Sequence, residues 1–142
     1  MDPSDIIQLV VLIVLIMMSA FFSSAETSFV TVNQIKMRSL AEDGNKKAKR
    51  VLKITSDSSK MLSAILIGNN LVNIAASSLA TTLTLQLWGN AFVSVTTGVL
   101  TLIVLIFGEI TPKTFATAYA DKIAPIYSGP IIFLMTILTP VI

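Results

Sequence analysis

Long apolar runs, interrupted by one basic stretch, set the pattern of this chain. Residues 6–22 are apolar apart from Gln8 and Ser19. A membrane-crossing helix needs about 20 residues. The run must therefore continue through Ser23, Ser24 and Glu26, which predicts a first span over 6–32. Ser19, Ser23 and Glu26 share one helical face by spacings of four and three. Lipid does not tolerate such a face, so it is expected to point into the protein. Residues 33–57 read differently: Ile35, Leu40, Val51, Leu52 and Ile54 are spaced among charges, and Gly44-Asn45 is a natural break. That predicts a helical hairpin on the membrane surface, with Ser56 or Asp57 capping the next helix.

From Met61 to Gly108 there are 48 residues without a charge. A single helix of that length would extend about 70 Å, more than twice the bilayer core. It must fold back, and Trp88-Gly89-Asn90 is the best turn. Spans over 61–87 and 91–109 follow. The stretch 123–142 is also uncharged, but Pro125, Gly129, Pro130 and Pro140 leave only 131–139 as uninterrupted helix. It is expected to be a kinked juxtamembrane helix, from about 114 to 142, lying along the interface. The fold class is an all-α membrane protein: three transmembrane helices, a hairpin and a juxtamembrane helix.

Composition supports this and adds orientation. Of 142 residues, 54% are hydrophobic and 13% charged, against about 25% charged in a soluble domain. Mean hydropathy is +0.82. Eight of the ten basic residues lie between Asn33 and Lys60, opposed only by Glu42, Asp43 and Asp57, so that segment carries net +5. Between spans, this is an orientation signal rather than a nucleic-acid surface. It places the hairpin in the cytoplasm, the N-terminus and Trp88 outside, and Glu109, Lys113 and the C-terminus on the cytoplasmic side. There is no cysteine or histidine. That excludes a disulfide framework and argues against zinc, copper or iron. The first apolar run is preceded by Asp2 and Asp5 rather than basic residues, so a cleaved signal peptide is not expected.

The candidate chemistry lies at Gly108-Glu109-Ile110-Thr111-Pro112-Lys113. A carboxylate at the edge of an apolar segment is expensive and needs a partner or a role. Pro112 lacks an N–H, and its ring collides with the carbonyl four residues back, that of Gly108. A freed carbonyl, a carboxylate and the Thr111 hydroxyl meet near one broken turn, a ligand set for a hard cation. Asn69, Asn70 and Asn73 add three carboxamides, with Asn69 and Asn73 one turn apart. The plainer alternatives are hydrogen bonds between helices, a Glu109–Lys113 pair, and a pairing of Glu26 with Lys60 or Lys113. No phosphate loop or catalytic dyad occurs, so an enzyme is not expected.

Together these stretches resemble the membrane domain of the CNNM (cyclin M)/CorC family of magnesium transport proteins. The resemblance rests on Phe21-Phe22-Ser23-Ser24-Ala25-Glu26, Ile67-Gly68-Asn69-Asn70-Leu71-Val72-Asn73-Ile74 and Phe107-Gly108-Glu109-Ile110-Thr111-Pro112-Lys113. It covers essentially the whole chain. It implies three transmembrane helices, a cytoplasmic hairpin, a belt helix and a homodimer in the cell membrane. It also implies magnesium export driven by sodium entry. The residues carried over as ion ligands are Ser23, Asn69, Asn73, Gly108 and Glu109. Ser24 or Ser28 are alternatives to Ser23, and Asn70 is a weaker candidate. Pro112 and Lys113 would shape the helix break. Family members continue into cytoplasmic CBS-pair domains that bind ATP, which this sequence does not include. The alternative function is a non-transporting magnesium sensor that regulates another carrier.

Overall fold

The computed structural model describes residues 3–87, 89 and 93–141. Among them the chain is helical, with no strand. In order, the elements are α1 (Pro3–Thr31), α2 (Gln34–Glu42), α3 (Lys46–Ser56), α4 (Ser58–Leu87), α5 (Val93–Ile103), a π-helical segment (Val104–Ile110), α6 (Thr111–Ala118) and α7 (Ala120–Leu138).

Local chemistry explains the hairpin. Gly44 takes φ 92°, a conformation that ordinary side chains avoid. Asn45 then caps α3, its side-chain oxygen accepting from the Ala48 N–H at 3.0 Å. Asn33 caps α2 through the Lys36 N–H at 3.1 Å, and Asp57 accepts from the Lys60 N–H at 3.2 Å at the start of α4. Asn45→Ala is expected to cost about 1 kcal/mol, the usual value of a lost cap. A denaturation curve that shifts by this amount, with no loss of helix outside the hairpin, is the check.

The main core sits at the hairpin end. Phe22, Ala25 and Phe29 of α1 meet Met37 of α2, Val51 and Ile54 of α3, Met61 and Ile65 of α4, and Ile131 of α7. Towards the other end, α1 exposes Ile6, Val10, Val14 and Met17 on a continuous apolar face, as a lipid-facing helix does. The chain is thus a multi-pass membrane protein.

Among the described residues, three helices are long and apolar enough to cross a membrane: Pro3–Thr31, Ser58–Gln86 and Ala120–Leu138. The first two overlap residues 6–32 and 61–87. The segment expected as the third span is instead divided between α5 and the π segment. The turn expected at Trp88 and Asn90 falls outside the described residues. Gly89, between them, has φ 80°, and its N–H reaches the Thr84 carbonyl at 3.2 Å.

The final segment departs from expectation in two ways. The helix starts at Ala120, not near 114, because the chain bends at Tyr119 (φ −123°, ψ 28°). Pro125 and Pro130 also lie inside one 19-residue helix rather than interrupting it. Each interior proline costs about 3 kcal/mol. That cost is offset by a buried face of Ile123, Ala124, Ser128, Ile131 and Met135. Although α7 has the length to cross, both of its ends stand at the hairpin end. Asp121 accepts from the Asn33 N–H at 2.8 Å and lies 4.0 Å from the Lys36 ammonium. Met135 and Thr136 adjoin Lys53, Asp57 and Lys60. The helix therefore lies across the bundle end, as a belt would.

Candidate functional site

The seam between α1 and α4 is antiparallel, and three observations fix its register. Leu12 packs with Ala76 and Ala80. The Ser19 hydroxyl donates to the Asn69 carboxamide oxygen at 3.3 Å. A methyl group at Gly68 would sit 2.7 Å from Cζ of Phe22. Gly68 thus has a packing reason: only hydrogen leaves room for the ring.

On its other side α1 meets the α5–π–α6 run, which travels in the same direction. Leu100 packs on the Leu12 cluster. Thr111, Pro112 and Phe115 line one groove with Phe21 and Ser24. The π segment lies between those two anchors, so Gly108 and Glu109 stand at the level of Ser19. Gly108 is buried and Glu109 half-buried.

Four of the relevant residues therefore share a level: Ser19, Asn69, Gly108 and Glu109. Ser23 is one turn further towards the hairpin end. Asn73 is one turn further in the opposite direction, level with Leu15 and Ile16 by the same register. The register staggers Ser23 and Asn73 along the seam instead of setting them side by side. Asn70 is exposed, as are Thr111 and Lys113, while Pro112 is half-buried.

Hydrogen bonding separates the serines. The Ser24 hydroxyl lies within hydrogen-bonding distance of the Ala20 carbonyl at 2.8 Å, the Phe21 carbonyl at 3.0 Å and the Tyr127 hydroxyl at 3.3 Å. Ser28 donates to the Ala25 carbonyl at 3.0 Å. The Ser23 hydroxyl is shielded from solvent and has no partner, and so is the Asn73 carboxamide oxygen. A buried polar atom left unpaired costs about 1–3 kcal/mol, so both call for a ligand or water. Ser19 was not among the expected ligands. Its signal was its spacing of four from Ser23 on the polar face of α1.

The helix break takes an unexpected form. Instead of an open turn at Pro112, the chain winds as a π-helix through Ile110, and the Thr111 N–H bonds five residues back to the Ile106 carbonyl. Proline then enters the first turn of α6, where its missing N–H is tolerated. Pro112 brings no N–H to this turn, and π-wound segments are frequent at functional sites. Neither Glu109 nor Glu26 lies within ion-pair distance of a described lysine. The plain pairings with Lys113 or Lys60 are thus absent. No group of three or more Asp or Glu converges among the described residues, so the oxygens at this level come from one carboxylate and neutral donors.

Comparison with known proteins gives concordant matches. A family model described as the cyclin M transmembrane N-terminal domain matches residues 10–142. The chain is 48% identical over 106 residues, 75% of its length, to the UPF0053 inner membrane protein YfjD of Escherichia coli. It is 41% identical over 133 residues, 94% of its length, to a UPF0053 protein of Haemophilus influenzae. It is 44% identical over 132 residues, 92% of its length, to a chloroplastic DUF21 domain-containing protein of Arabidopsis thaliana. The matches cover only 25%, 32% and 20% of those three relatives.

Proposed function

Because the chain belongs to the cyclin M transmembrane-domain family, we propose that it is the membrane domain of a magnesium transporter whose substrate ion passes along the α1–α4 seam. The observation that carries this reading is the pair of buried, unpartnered oxygens on Ser23 and Asn73. They flank the level shared by Ser19, Asn69, Gly108 and Glu109. Magnesium takes six oxygens in near-octahedral geometry and gives up water reluctantly. One carboxylate with hydroxyl, carboxamide and carbonyl donors, completed by water, suits an ion that must also be released. The staggered oxygens then serve as successive contacts along one path, with the π-wound segment as the element that moves.

The basic hairpin argues for a cytoplasmic hairpin end and an outer N-terminus. Export coupled to sodium entry, and a homodimeric assembly with cytoplasmic regulatory domains, complete the proposal.

Thermal melts of the detergent-purified chain test the site. Magnesium at about 100 times its dissociation constant is expected to stabilise by about 2.7 kcal/mol. Sodium chloride at matched ionic strength should not reproduce this shift, and Asn73→Ala should reduce it strongly. A wild-type response in Asn73→Ala would remove that residue from the site. Magnesium flux into dye-loaded liposomes then separates a carrier from a sensor.

A further inference from the structure

The belt helix and the hairpin enclose a cleft that the ion path does not use. It measures about 290 Å³ and lies between the end of α3, the start of α4 and the C-terminal part of α7. Lys53 and Lys60 line it, over a floor of Ile54, Ile132 and Met135. Arg50, three residues before Lys53, borders α7 nearby: a methyl group at Gly129 would stand 3.6 Å from its guanidinium nitrogen. Among the described residues, none of these three cations has an acidic side chain within ion-pair distance. Asp57 is the acidic residue in the lining, and it accepts from the Lys60 N–H at 3.2 Å at the start of α4. Positive charge thus prevails along the cleft.

The apolar pattern sets the level of this cleft. Lys60 is the last charge before 48 uncharged residues, so it marks where lipid headgroups begin. Beside the cleft, α7 exposes Ile126, Phe133 and Ile137, and spacings of seven and four put them on one face. Such a stripe belongs among acyl chains rather than in water. We propose that the cleft binds an anionic phospholipid from the leaflet at the hairpin end. Lys53 and Lys60 take its phosphate as point charges, with Arg50 alongside. Its glycerol rests on Ile132, and its chains run out over Phe133 and Ile137. An acidic protein segment would match the charge but leave the apolar floor and the exposed stripe uncovered. The inference goes beyond the proposed transport and rests only on the hairpin end lying at a bilayer surface.

The test is a thermal-melt titration of the detergent-purified chain, without magnesium, in micelles carrying a rising mole fraction of phosphatidylglycerol. A saturable rise in melting temperature is expected with phosphatidylglycerol and none with phosphatidylcholine. Lys53→Gln combined with Lys60→Gln keeps most of both stems and should weaken the response about 30-fold, the effect of two basic residues at a lipid surface. Thr136→Glu, at the exposed rim of the cleft, should weaken it as well while leaving every lysine in place. Lys46→Gln combined with Lys47→Gln removes the same charge from the other end of α3 and should stay within about threefold of wild type. Equal weakening in the two lysine pairs would reduce the effect to diffuse attraction and overturn the site. A matching rise with inorganic phosphate or polyglutamate would overturn the lipid as its occupant. Lipid-free melts of all the variants should match wild type, since none of the replaced side chains is fully buried. Magnesium and flux play no part in the readout, so failure here leaves the ion site standing, and failure of the ion site leaves this cleft standing.

Discussion

Glu109→Gln is expected to abolish magnesium flux, weakening the ion's passage by about 100-fold, or about 2.7 kcal/mol. Glutamine keeps the shape and one oxygen but removes the negative charge at the level of Ser19 and Asn69. Among the donors placed there, the carboxylate is the one that offsets a divalent charge away from water. The variant should fold normally, because Glu109 has no lysine partner that would be left stranded. Its metal-free melt should therefore match wild type, while flux into liposomes and the magnesium-dependent melt shift are both lost. Wild-type flux in Glu109→Gln would exclude the carboxylate from the path.

The second large effect concerns the seam. Gly68→Leu is expected to destabilise the bundle by about 3 kcal/mol, the upper part of the usual range for overpacking. A Cβ there already stands 2.7 Å from Cζ and 2.8 Å from Cε1 of Phe22. The ring cannot simply yield. It is held edge-on to Phe21, with centroids 5.3 Å apart, and Phe21 is in turn edge-on to Tyr127 at 4.7 Å. Gly68→Ala should be milder, because alanine recovers about 1 kcal/mol of helix propensity. Combining it with Phe22→Leu should restore the wild-type melting temperature. The check is a melt in detergent with an elution profile; a wild-type melt for Gly68→Leu would mean that the helices are further apart than described.

The two effects belong to different links in the chain from sequence to function. Glu109 was legible at once, as the first charge after a long uncharged run and three residues before a proline. Its surroundings were not. A proline signals a missing donor but not how the helix absorbs it, and here the absorption is a π-wound segment ending before Pro112. Ser19 shows the same division. Its place on the polar face of α1 follows from spacing. That it faces Asn69, while Ser23 and Asn73 stand a turn to either side, follows from where Phe22 meets Gly68.

What the sequence determined by itself was local or compositional. Embedding in the membrane follows from apolar runs and scarce charge. The hairpin follows from Gly44, Asn45 and Asp57, whose caps act within three residues. The polar stripe of α1 follows from helical periodicity. Tertiary structure decided the register of α1 against α4, the level at which the π segment meets them, and the continuity of α7 through two prolines. Each of these depends on contacts between residues far apart in the chain. Periodicity shows which face of a helix is buried, but only the fit of one helix against another sets the height at which the faces meet.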